Sequence, residues 1–119
     1  MDLAQFSNLV DESVADLPEE FKNALSNVEI MVEVWPGRND LQELNIHGWL
    51  FGLYRGVPQT RRGQYNASLP DKIIIFAGPI ISVFGTDPDV IRREVRKTVL
   101  HEIGHHFGMS ESEIRSAMK

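Results

Sequence analysis

The sequence predicts an α+β domain: helices open the chain, a small sheet follows, and helices close it. Three observations carry this expectation. Apolar residues have helical spacing over 3–14, they alternate in twos over 28–34, and they recur every four residues over 91–107. With 119 residues, 42% of them hydrophobic and 24% charged, the chain has apolar material for one core. A single domain spanning residues 1–119 is expected, because neither a repeat nor a long linker divides it.

Leu3, Phe6, Leu9, Val10 and Val14 share a helical face, and Pro18 followed by Glu19 and Glu20 opens a second helix through Leu25. Val28, Ile30, Val32 and Val34 alternate with Glu29, Met31 and Glu33, as in a strand with one buried face. Trp35, Pro36 and Gly37 end it. A second strand runs from Trp49 to Arg55 between Gly48 and Gly56, and residues 56–71, rich in Gly, Pro, Asn and Ser, form a loop. Lys72 to Ala77 is expected to be the most buried strand, stopped by Gly78 and Pro79, with a short helix over Ile80 to Phe84.

The longest helix follows. Asp87 suits the N-cap, Pro88 the first helical position, and Asp89 the positive end of the helix dipole. Ile91, Val95, Val99, Ile103 and Phe107 form its apolar stripe, leaving Arg92, Arg93, Arg96 and Lys97 as a solvated face. Ser110 caps a last helix reaching Met118, with Glu113 completing a capping box.

On the last turns of the long helix, His101, Glu102 and His105 spell HExxH, extended by Gly108 and Glu111 to HExxHxxGxxE. Residues four apart share a helix face, so both imidazoles can hold one Zn²⁺ while Glu102 reaches an adjacent water. The chain has no cysteine, so ligands must be His or carboxylate. Gly108 permits the left-handed backbone that ends a helix and folds the chain back. Glu111 is the expected third ligand; Glu113, His47 or water are the alternatives. A helix end with merely structural histidines is the competing reading of the motif.

His106 lies about 100° around the helix from His105, so it is read as a packing residue. Gly104, inside the motif, costs about 1 kcal/mol relative to Ala, and close approach of a strand or substrate backbone is the expected compensation. Met109 and Met118 read as ordinary apolar residues.

Net charge of −5 argues against generic affinity for nucleic acid or anionic membranes. The most apolar run, IIIFAGPII, is too short to span a bilayer, and the first residues lack the basic start and apolar stretch of an export signal. A cytoplasmic monomer is expected.

The runs LFGLYRGVPQT, LPDKIIIFAGP and VRKTVLHEIGHHFGMSE resemble the small bacterial minimal-metalloprotease-like proteins, the zincin-like metallopeptidase family, over residues 15–119. The resemblance implies a minimal zincin-like fold: a small mixed sheet with the metal helix lying across it. It places His101 and His105 at the zinc ligands, Glu102 at the catalytic acid/base and Glu111 at the acidic position that completes the site. The chain departs from true metzincins, whose third ligand is usually His or Asp and whose Met-containing turn lies well downstream.

The function these readings imply is zinc-dependent hydrolysis of peptide bonds, with Glu102 as general base and acid. The expected partner is a peptide or flexible protein segment aligned along strand 49–55, because so small a domain cannot wall a deep cleft. Tyr54, Arg55 and Tyr65 are candidate oxyanion donors. The alternative is a metal-binding or metal-free peptide-binding domain without hydrolytic activity, which has no need of Glu102.

Overall fold

The computed structural model describes residues 1–38, 50–56 and 70–117, and of Glu111 and Ala117 the backbone alone. Two helices come first, α1 (Leu3–Ala15) and α2 (Glu19–Ala24). Asp2 caps α1 in a box with Gln5: its carboxylate accepts the Gln5 N–H at 2.8 Å and its own N–H donates to the Gln5 side chain at 2.9 Å. Phe6, Leu9 and Val10 turn inward from α1, and Phe21 from α2.

The sheet consists of β1 (Val28–Glu33), β2 (Gly52–Arg55) and β3 (Asp71–Phe76), in the order β1-β3-β2. It is mixed, since β1 runs parallel to β3 and β2 antiparallel to it. β3 lies between its two neighbours, and Ile73, Ile74, Ile75 and Phe76 are all buried. The expected most buried strand is therefore the central one. The second strand is shorter than the expected 49–55; Trp49 lies outside the described residues.

Helix α3 (Ala77–Phe84) follows β3 without a gap, starting three residues before the expected Ile80. The strand ends at Phe76, one residue short of the expected Ala77, and Gly78 and Pro79 sit in the first helical turn, where a proline gives up no helical hydrogen bond. The Gly78 N–H donates to the Val34 carbonyl at 2.7 Å, and a Cβ at Gly78 would lie 2.5 Å from the Trp35 ring. A side chain there would break the seam between α3 and the end of β1.

Helix α4 (Pro88–His106) starts as its sequence predicts, with the Asp87 carboxylate accepting the Asp89 and Val90 N–H groups at 2.9 and 3.4 Å. Ile91, Val95, Val99, Leu100 and Ile103 are buried against Ile73 and Ile75 of the sheet and against α1. Phe107 does not continue the stripe. It caps the helix and is 55% exposed, because the chain turns at Gly108 and Ile114 of α5 (Glu111–Ala117) enters the core instead.

Arg92 keeps its expected place on a solvated face and finds two partners there. It bridges α4 to α1 through Glu12 at 2.6 Å and pairs with Asp89 at 2.8 Å. Beside it the buried Ser13 hydroxyl donates to the Leu9 and Arg92 carbonyls, at 2.7 and 3.1 Å, so this helix pair is fixed by hydrogen bonds as well as packing. Among the described residues no helix is long and apolar enough to cross a membrane.

Candidate metal and catalytic site

The final two turns of α4 carry His101, Glu102 and His105. His101 is half-buried and His105 exposed, and their ring centroids lie 5.7 Å apart at an interplanar angle of 29°. Zn–N bonds of about 2.0–2.1 Å put each ring centre about 3.2 Å from the metal, so rings sharing a tetrahedral ion have centres about 5.2 Å apart. The observed separation lies within about half an ångström of that, and imidazole nitrogens are donors of the kind zinc takes. The pair fits a shared divalent ion.

Glu102 faces the open edge of the sheet. The Phe76 N–H donates to the Phe51 carbonyl at 2.9 Å, so in the antiparallel ladder residues 51, 53 and 55 bond to β3 while Gly52 and Tyr54 point their backbone groups outward. The outward Tyr54 N–H faces the Glu102 carboxylate and favours its charged form. Burial raises the Glu102 pKa above its ordinary value; the Tyr54 N–H and the charge of His105 act against that rise. Glu102 is thus a carboxylate partly stripped of water beside a backbone donor.

Strand β2 can come this close because Gly52 has no side chain. A Cβ there would lie 2.6 Å from the Thr98 methyl of α4 and 3.3 Å from the Ile74 carbonyl. Gly52 has the signature of close backbone approach, a lone Gly within a strand. Next to it, Leu50, Phe51, Phe84, Glu94, Lys97 and Thr98 line a cleft of about 300 Å³ that reaches His101 and Glu102. Phe51 and Phe84 form one wall, their ring centres 5.5 Å apart. No local pattern in the sequence announces this pairing.

The chain turns back after α4 as Gly108 predicts. Gly108 has φ 72°, its N–H donates to the His105 carbonyl at 3.2 Å, and the Met109 N–H reaches the Gly104 carbonyl at 2.7 Å. These two bonds form a Schellman closure. Ser110 then caps α5 in the expected box: the Glu113 N–H donates to the Ser110 hydroxyl at 3.1 Å, and the Ser110 N–H to the Glu113 carboxylate at 3.0 Å. The same backbone N–H, then the hydroxyl, lower the Glu113 pKa. Committed to the cap, Glu113 is a poor candidate for the third ligand.

Glu111 opens α5, and its side chain lies outside the described residues, as do His47 and Tyr65. Among the described residues no third His, Asp or Glu side chain joins His101 and His105 in a metal-sized cluster.

Three further expectations meet definite neighbours. Gly104 is indeed a site of close approach, but the partner is neither a strand nor a substrate: a Cβ there would lie 2.5 Å from Cδ1 and 2.6 Å from Cγ1 of buried Ile114. His106 packs, as expected, with its ring stacked on Tyr54 at 3.9 Å and 13°. The Tyr54 hydroxyl donates to Asp71 at 2.7 Å, which ties this oxyanion candidate to the sheet.

Comparison with known proteins agrees with the fold. A solved structure of a conserved hypothetical protein from Thermo thermophilus is similar to the chain, with a TM-score of 0.60 and 27% identity, covering 90% of this chain and 94% of that one. No curated protein matches. The family model described as zincin-like metallopeptidase matches residues 25–118, a span running from the end of α2 through the whole sheet and the HExxH helix. The chain belongs to the zincin-like metallopeptidase family.

Proposed function

We propose that the protein is a zinc-dependent peptidase of the cytoplasm acting on short or flexible peptide segments. His101, His105 and Glu111 hold the metal and Glu102 carries the proton. The single observation behind this reading is the placement of Glu102: partly desolvated, faced by the Tyr54 N–H, and beside two imidazoles that share a helix face. When bound, Zn²⁺ supplies Lewis acidity, bringing the pKa of a coordinated water toward about 7 and polarising a carbonyl.

The residues of the chain do the rest. A carboxylate with a raised pKa is a stronger base than an exposed one, so Glu102 is suited to take a proton from the attacking water. It then delivers that proton to the nitrogen of the leaving amine. The outward backbone groups of Gly52 offer a hydrogen-bonding edge to an extended peptide. The cleft walled by Leu50, Phe51 and Phe84 favours a bulky apolar side chain near the cut bond. At about 300 Å³ it is at the lower end of ligand pockets, with room for one side chain rather than a folded surface.

Glu102→Gln keeps the shape beside the Tyr54 N–H but removes the base. Hydrolysis of a fluorogenic peptide by the zinc-loaded protein should fall by about 10²–10⁴-fold with zinc content unchanged. A wild-type protein that takes up zinc and binds peptide but cleaves none, and so loses nothing on this substitution, is the non-hydrolytic peptide-binding domain instead.

A further inference from the structure

We infer that Tyr54 is a positioning residue that latches the last turn of α4 to the sheet edge, an inference that rests on the peptidase reading for its functional meaning. His105, His106, Phe107 and Gly108 are all exposed, and a helix end without lateral support opens readily. His105 rides on that end. Tyr54 joins that helix end to the sheet by three contacts from one residue. Its backbone N–H faces Glu102, its ring lies flat on His106, and its hydroxyl is anchored to Asp71 at the start of β3. The Phe107 ring meets His106 edge-on at 5.0 Å and 88°.

Geometry makes the arrangement specific to this pair of elements. Tyr54 pairs with Ile73 at a position whose backbone faces away from β3, and its side chain lies on the sheet face that α4 covers. Its N–H and its ring therefore address the same helix from one strand position. Glu102 and His106 are four residues apart and share a helix face, so one residue of β2 grips two successive turns. The hydroxyl bond to Asp71 limits rotation of the ring and so keeps the stack in register. His106 is thereby a structural counterpart of the metal-facing His105, turned to the opposite task.

The test compares Tyr54→Phe, Tyr54→Leu, His106→Ser and the Tyr54→Leu/His106→Ser double variant. In metal-free protein, amide hydrogen exchange at Phe107, Gly108 and Met109, which bond back to Ile103, His105 and Gly104, should quicken about 2- to 12-fold in Tyr54→Leu and in His106→Ser. The double variant should show no further gain, and Tyr54→Phe, which keeps the stack but loses the Asp71 anchor, should fall between wild type and Tyr54→Leu. Zn²⁺ affinity, read by competition with a fluorescent chelator, should fall in the same order. Exchange in Tyr54→Leu equal to that in Tyr54→Phe, or single effects that multiply in the double variant, overturns the latch. Faster exchange with unchanged zinc affinity overturns the positioning role. A wild-type protein that binds no zinc removes the peptidase reading while leaving the exchange comparison decisive for the latch. If Tyr54→Leu does not fold, His106→Ser against wild type carries the same comparison from the exposed partner.

Discussion

Replacing Gly104 by Ala sets two opposed effects against each other, and the structure decides which wins. In an unconstrained helix interior the substitution stabilises by about 1 kcal/mol, because Gly loses more backbone freedom on folding than Ala. Here the new methyl would lie 2.5 and 2.6 Å from Cδ1 and Cγ1 of Ile114. Ile114 is fully buried, and its Cγ1 is not the free end of a side chain, so relief requires α5 to move outward. Overpacking of this kind costs about 1–3 kcal/mol, leaving a net loss of about 0–2 kcal/mol. For a domain of this size that corresponds to a melting temperature lower by roughly 0–10 °C, measured by calorimetry on metal-free protein. Ile114→Ala alone removes a buried side chain at a cost of about 2–5 kcal/mol, but in its background Gly104→Ala should become neutral or stabilising. A melting temperature that rises in Gly104→Ala by the same amount with and without Ile114 would refute the contact.

Other perturbations separate the remaining roles. Glu111→Ala should weaken zinc binding by more than about 10- to 100-fold, the range for residues that only support a ligand; unchanged affinity in a chelator competition removes Glu111 from the site. In metal-free protein Glu102→Gln should raise the melting temperature at pH 7, because burial raises the folded-state pKa of Glu102 and its charged form destabilises the fold. That advantage should shrink as the pH falls through the raised folded pKa and level off below the unfolded value of about 4.3, whereas a constant difference across pH contradicts it. Glu113 has the opposite sign: its lowered pKa contributes stability above the unfolded value, lost as pH falls through the folded one. Ser110→Ala should cost about 1 kcal/mol at pH 7 and most of that in acid too, because the hydroxyl accepts the Glu113 N–H whatever the charge of the carboxylate, as followed by thermal unfolding.

The parts legible in the sequence are those specified by neighbours in the chain. Asp87 and Pro88 fix where α4 begins because a cap acts on the next three residues, and Gly108 fixes where it ends because only a left-handed residue closes that turn easily. Ser110 and Glu113 are legible for the same reason. Contacts between distant segments left weaker traces. Gly104 announced a close approach but not its partner, since Ile114 reaches it only after the chain reverses. Tyr54 carried no sign that its N–H would face Glu102, because that depends on which strand residues face away from β3. Phe107 fitted the four-residue period and is nonetheless exposed: the period describes a continuing helix, and the helix stops there.

The two histidines of the motif are equivalent in sequence and unequal in structure. His101 stands a full turn inside α4, half-buried beside the Thr98 and Gly52 contact, whereas His105 occupies the exposed final turn. Any ion they share must therefore join a rigid donor to one whose position depends on how firmly the helix end is closed. Three separate features close it: the Schellman bonds at Gly108 and Met109, the seating of Ile114 against Gly104, and the Tyr54–His106 stack. Loosening any of them lowers the fraction of molecules in which His105 is held beside His101. Apparent metal affinity falls in proportion to that fraction. By linkage the bound ion should protect the same turn from opening, so zinc affinity and the local stability of residues 103–109 are two readings of one equilibrium.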